Sequence, residues 1–217
     1  MFYLGRLAMP YSRRENVRHA TLFLSAPRVS KCWQIGAGEK RNRMVTNERI
    51  TELLGNIKRG LQETAGRLIE KNILCDSAWT HACFSALCEI GTSQGFVVAP
   101  NKHNCEWLYD MVWKECDNDD FKSLVMALES EWSSVYEKVM YDFLKIVQST
   151  ARIKVLICNS FDDNGMSQFL NAINVYEAKR NDEIYLFAMY THEGTWKGFN
   201  FMIAQQIKGG NSFGFVE

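Results

Sequence analysis

No apolar run in the sequence approaches the roughly 18–20 residues that a membrane-spanning helix needs. No CxxC pair occurs, and the seven cysteines are odd in number and irregularly spaced. That usage points to reduced thiols in a cytoplasmic setting, not to a disulfide framework. Cys75, His81, Cys83 and Cys88 lie close together, but their spacing matches no common zinc pattern, so buried small hydrophobes are the expected reading. P-loop and GxGxxG phosphate loops are missing, as are internal repeats and low-complexity tracts. The remaining histidines, His103 and His192 among them, are scattered.

Net charge is also missing, although its cancellation is uneven. Residues 1–43 hold nine Lys/Arg against two Glu, while 44–217 hold 16 basic against 23 acidic residues, a net of −7. A body this acidic carries no broad electrostatic face for a polyanion, so nucleic-acid binding would call for a local basic rim or metal ions. The leader 1–43 is basic, holds all but one of the prolines and shows no sustained period. Its apolar piece "ATLFLSAP" is too short for a signal-peptide core. The expectation is a poorly ordered extension, upstream sequence ahead of a start at Met44, followed by one domain over 44–217.

Periodicity begins at Thr46. Ile50, Leu53, Leu54, Ile57, Leu61, Leu68 and Ile69 recur at three- and four-residue intervals, which predicts an amphipathic helix. A second helix is expected from a cap at Asp76 or Ser77 to about Glu89, with Gly91 ending it. Strands are expected over 95–101, 105–116 and 122–132, with the polar "DNDDF" turning the last two into a hairpin. A helix over 134–149, a buried strand over 152–160, a helix over 162–180 and a strand over 182–192 follow. The C-terminal stretch reads as a short strand and a glycine-rich tail. Its "GTWKGFNF" offers Gly194, Lys197 and Gly198 to a phosphate, but a surface hairpin is the better reading. The sum is an α/β (α+β) fold, a mixed sheet flanked by helices.

The acids fall at telling positions. Period two in 105–116 puts Glu106, Leu108, Asp110, Val112 and Lys114 on one face, with Trp107, Tyr109, Met111 and Trp113 on the other. Asp110 is thereby expected mid-strand between apolar neighbours, where an ionised carboxylate is costly unless it is paired or bound to a metal. In "SLVMALESEW", Glu129 and Glu131 share a face with Val125 and Ala127, about 7 Å apart along the strand. Like charges so close disfavour joint ionisation unless a cation sits between them. The hairpin brings Asp110 within reach of Glu129, enough for two carboxylates on one hard divalent cation. In the next helix, Lys145 stands at the edge of the apolar stripe with Asp142 on the same flank, and its long stem can lean toward Glu129. Trp107 and Trp132 read as core before base-stacking platforms.

Together, "EWLYD", "LESEW" and "DFLK" resemble the PD-(D/E)xK nuclease superfamily, whose core runs α-β-β-β-α-β. The resemblance covers roughly residues 77–160. It implies a restriction-endonuclease-like fold and Mg²⁺- or Mn²⁺-dependent hydrolysis of DNA or RNA phosphodiesters. Asp110 and Glu129 match the metal-binding acids, and Glu89 of "ALCEIG" matches the glutamate common on the preceding helix. The third motif residue is Glu131 where the superfamily usually has lysine. By the resemblance, Glu131 serves as a further ligand or base and Lys145 as a migrated lysine. A homodimer is implied by analogy alone. The competing expectation is an inactive module that keeps the fold as a platform for protein or nucleic-acid contacts.

Overall fold

The structure is a computed structural model and describes residues 46–100, 108–118, 120–193 and 196–216. The expected extension at 1–43, the start at Met44, and Asn101, His103, Glu106 and Trp107 lie outside the described residues. The chain forms α1 (Asn47–Glu70), α2 (Asp76–Ser93), β1 (Val97–Pro100), β2 (Met111–Asp117), β3 (Asp120–Glu131) and α3 (Tyr136–Val147). These are followed by β4 (Ile153–Asn159), α4 (Asp163–Val175), β5 (Ile184–Glu193), β6 (Trp196–Gln206) and β7 (Phe213–Val216).

The seven strands among the described residues join one mixed sheet whose spatial order is the order of the sequence. β1, β2 and β3 form an antiparallel meander, while β3, β4 and β5 run parallel and are connected through α3 and α4. Parallel neighbours need a crossover, and each helix provides one. β6 and β7 complete the sheet in antiparallel pairing. α1 and α2 cover one face, around Leu53, Ile57, Leu61, Leu87, Met126, Leu128 and Val155. α3 and α4 cover the other, where Phe143, Ile146 and Phe169 meet Ala127, Leu156 and Phe187. The protein is thus a mixed α/β fold in three layers. β4, flanked by strands on both sides and helices on both faces, is accordingly an almost unbroken apolar run, "IKVLICN".

Local chemistry sets the ends of the elements. Thr46 caps α1 by accepting the Arg49 backbone N–H, and Asp162 caps α4 by accepting that of Gly165. The cap of α2 is Cys75, one residue before the expected Asp76, which instead sits in the first turn where its charge favours the helix N-terminus. Gly91 does not end α2 as the sequence suggests. It lies within the helix, and a Cβ there would stand 2.6 Å from Trp113 Nε1 and 2.8 Å from Val98 Cγ2. The glycine lets the helix press onto the sheet, and the turn itself falls to Gly95 at φ +83.

α4 stops at Val175, short of the expected 180. The Asn174 side chain clasps the backbone of Phe213 on β7, and Lys179 Nζ bonds the carbonyls of Asn174 and Tyr176. The C-terminal tail holds two strands, not one, and β5 and β6 form a hairpin through Glu193 and Trp196.

The β2–β3 hairpin forms with two register shifts that alternation alone does not reveal. One bulge leaves Val125 on the α1/α2 side with Met126 and Leu128, so Val125 does not share the face of Ala127. Within the strand expected over 105–116, residues 108–110 form a bend, and β2 begins at Met111. Tyr109 therefore packs on the α3/α4 side, away from Met111 and Trp113.

Candidate active site

Asp110 stands at the mouth of the hairpin and not in mid-strand. It lies in the bend just before Met111, whose pairing with Leu128 is the last of the hairpin register, and its charge acts on Glu129. Its Oδ2 accepts the backbone N–H of Ser130 at 2.9 Å, which fastens the carboxylate to β3. Burial pushes the Asp110 pKa up, against the Ser130 hydrogen bond and the charge of Lys145.

Glu129 points to the α3 side and is only 1% exposed. An alternating strand under a helix has no solvent on that face, so the carboxylate needs a partner from the helix. Lys145 supplies it, with Nζ 2.8 Å from Glu129 Oε2 and 2.7 Å from Asp142 Oδ1. The stem leans along the apolar stripe of α3 and delivers the ammonium to the sheet. Glu129 Oε1 is buried and has no hydrogen-bond partner among the described residues. Desolvation is the main cause that raises the Glu129 pKa, to about 8, with the negative charge of Asp110 adding to it and Lys145 opposing both. Lys145 moves the other way. Burial works to lower its pKa, but the hydrogen bonds to Asp142 and Glu129 outweigh that and hold it above its ordinary value. Glu129 is thus the member of the cluster that takes up a proton, and Lys145 stays charged.

Two expected members stand elsewhere. Glu131 Oε1 accepts the backbone N–H of Ser133 at 2.8 Å, closing the turn that leaves β3. Glu89 is exposed on α2, a helix of the opposite layer, whereas Glu129 faces α3. Tyr109, which strict alternation sets beside Met111 and Trp113, instead stands half-buried at the site, its pKa raised by burial and then by the charge of Glu129. A strand that starts at Met111 frees Tyr109 from the alternation that would set it beside Met111 and Trp113.

The other candidates fall away from chemistry. Among the described residues no group of three or more His, Cys, Asp or Glu side chains is gathered to hold a metal ion. Cys83 is a core residue whose thiol burial pushes up to about 12. Trp132 donates to Thr80 Oγ1 and packs against Trp79, Tyr190 and Phe199. "GTSQG" at 91–95 has the letters of a serine-hydrolase elbow, but it leads from a helix to a strand, the reverse of the strand–turn–helix that elbow needs. Ser93 Oγ donates to Ile90 O.

No family model, curated protein or solved structure matches the chain. Among the described residues, no helix is long and apolar enough to cross a membrane.

The donor set still suits a hard divalent cation. Mg²⁺ commonly takes one or two carboxylates and fills its remaining positions with water and phosphate oxygens. Asp110 and Glu129 would provide two, and the buried Glu129 Oε1, without a hydrogen-bond partner among the described residues, is an atom that a cation would satisfy.

Proposed function

We propose that the protein is a metal-dependent nuclease-like hydrolase of nucleic-acid phosphodiester bonds, built on a PD-(D/E)xK-type core. The observation that carries this reading is the Lys145 ammonium 2.8 Å from Glu129, with Asp110 fastened to the same strand through the Ser130 N–H. The succession α2-β1-β2-β3-α3-β4 supports it, because it follows the α-β-β-β-α-β order of that core.

Asp110 and Glu129 would hold Mg²⁺ or Mn²⁺, which when bound polarises a phosphodiester and lowers the pKa of a water. Ser130 N–H keeps Asp110 in place, and Asp142 keeps Lys145 charged and directed at Glu129. The ammonium balances the negative charge that develops on phosphate as the bond is cut. Glu131 stays with Ser133, so the two-carboxylate set carries the reading without a third acid.

That engagement of Glu131, with no group of three metal-ligating side chains among the described residues, favours one other reading: an inactive module that keeps the fold for protein or nucleic-acid contacts. Calorimetric titration of Mg²⁺ and Mn²⁺ into wild type and Asp110→Ala decides between them when the same samples are assayed on DNA and RNA. Stoichiometric binding and cleavage, both lost in the variant, are the expected result. Absence of metal binding in wild type would leave the platform reading.

A further inference from the structure

The surface of α3 beside the site is not polar throughout. Tyr141 is 68% exposed, and the Lys145 ammonium lies 5.9 Å from its ring centroid. Four residues apart on one helix, the two side chains are neighbours by the helical repeat. The same ammonium touches Glu129 and Asp142, so an open aromatic ring stands one side chain away from the carboxylates. Leu144 extends the apolar surface three residues along the helix, and Leu108, 80% exposed, precedes Asp110 by two residues.

Charge bears on what can use this surface. The body 44–217 has 16 basic against 23 acidic residues, and at the site Asp110, Glu129 and Asp142 outnumber Lys145. An intact duplex presents two phosphate rails, hides its base faces in the stack, and is held mainly through many Lys and Arg contacts. An unpaired nucleotide presents a flat, uncharged base face, and stacking of that face on an aromatic ring tolerates any base.

We propose that Tyr141 is a base-stacking platform, and that the site takes nucleic acid through an unpaired nucleotide beside Lys145, as in single strands and frayed ends, not through an intact duplex. The proposal takes nucleic acid as the ligand from the nuclease reading, but stacking does not depend on cleavage.

The test is fluorescence anisotropy with the full chain in Ca²⁺, using a labelled oligothymidylate and a blunt hairpin duplex of equal length. Cleavage of the same probes is followed separately in Mg²⁺. Wild type is expected to bind the single strand more tightly than the duplex. Tyr141→Ala is expected to weaken single-strand binding by about tenfold or more and leave duplex binding unchanged, while Tyr141→Phe keeps it. Equal binding of the two probes, no binding, or a Tyr141→Ala variant that binds like wild type would each overturn the platform. Single-strand binding that needs Tyr141, without cleavage in Mg²⁺, would retain the platform and remove the nuclease. Cleavage in Mg²⁺ with Tyr141→Ala unaffected in binding would do the opposite.

Discussion

Lys145 on α3 meets Glu129 on β3 at 2.8 Å, and the two differ sharply in exposure: 28% of the lysine side chain is open to solvent against 2% of the glutamate. The pair therefore joins a wet group to a dry one. The lysine retains its charge through Asp142, while the glutamate is the group that burial penalises. That asymmetry governs how the site responds to pH, to substitution and to a cation.

Stability should depend on pH through Glu129. Its pKa is raised from 4.5 to about 8 on folding. The folded state then holds a proton that the unfolded chain has released, so the contribution is full below about pH 4.5 and is lost as pH rises through about 8. Wild type should lose stability relative to Glu129→Gln across that window, with a slope of at most about 1.4 kcal/mol per pH unit. Lys145→Ala removes a partner that lowers the Glu129 pKa, so it should cost about 1–2 kcal/mol more at pH 9 than at pH 5. Urea unfolding at several pH values measures both effects. Parallel pH curves for wild type and Glu129→Gln would contradict the assignment.

Gly91→Ala should destabilise by about 1–3 kcal/mol. The added Cβ meets Trp113 at 2.6 Å and 2.7 Å and Val98 at 2.8 Å, all within the packed core. The helix-propensity gain of about 1 kcal/mol does not offset that overlap. A thermal midpoint equal to or above wild type would show that α2 can move off the sheet.

Lys154 is fully buried, where its ammonium bonds Glu183 Oε2 at 2.8 Å and the Val147 carbonyl at the end of α3 at 2.7 Å. Burial lowers its pKa despite the glutamate. Lys154→Met leaves Glu183 buried without its cation, and should cost about 3–5 kcal/mol. Adding Glu183→Gln should recover much of that loss, because Gln still accepts from the Tyr185 hydroxyl, which bonds Glu183 at 2.9 Å. A double-mutant cycle in denaturant reads the coupling, and additive losses would show that the two side chains act independently.

Most of the architecture was legible because the apolar periods are strong: α1, α3 and β4 announce themselves through Ile57, Phe143 and Val155. The reach of Lys145 to Glu129 was legible for the same reason, since helix and strand phases fix which faces meet. The bulge at Val125 and the bend at Leu108–Asp110 were not, because a single extra residue reverses alternation without changing composition. Gly91 looked like a helix stop because its role depends on Trp113, 22 residues later and on another element. Glu131 reads as a ligand or base by its strand period and by the resemblance, and only the turn at Ser133 shows what its carboxylate bonds.

The most direct measurement is cleavage of single-stranded and duplex DNA and RNA by the full chain, with Mg²⁺ or with EDTA, in wild type, Glu129→Gln and Lys145→Ala. Circular dichroism establishes that each variant is folded. Mg²⁺-dependent cleavage by wild type, reduced about 100-fold or more in both variants, is the predicted result, since each loses an electrostatic group at the reacting phosphate. A wild type that cuts no substrate with Mg²⁺ or Mn²⁺, or a Glu129→Gln variant as active as wild type, would contradict a nuclease centred on Asp110, Glu129 and Lys145.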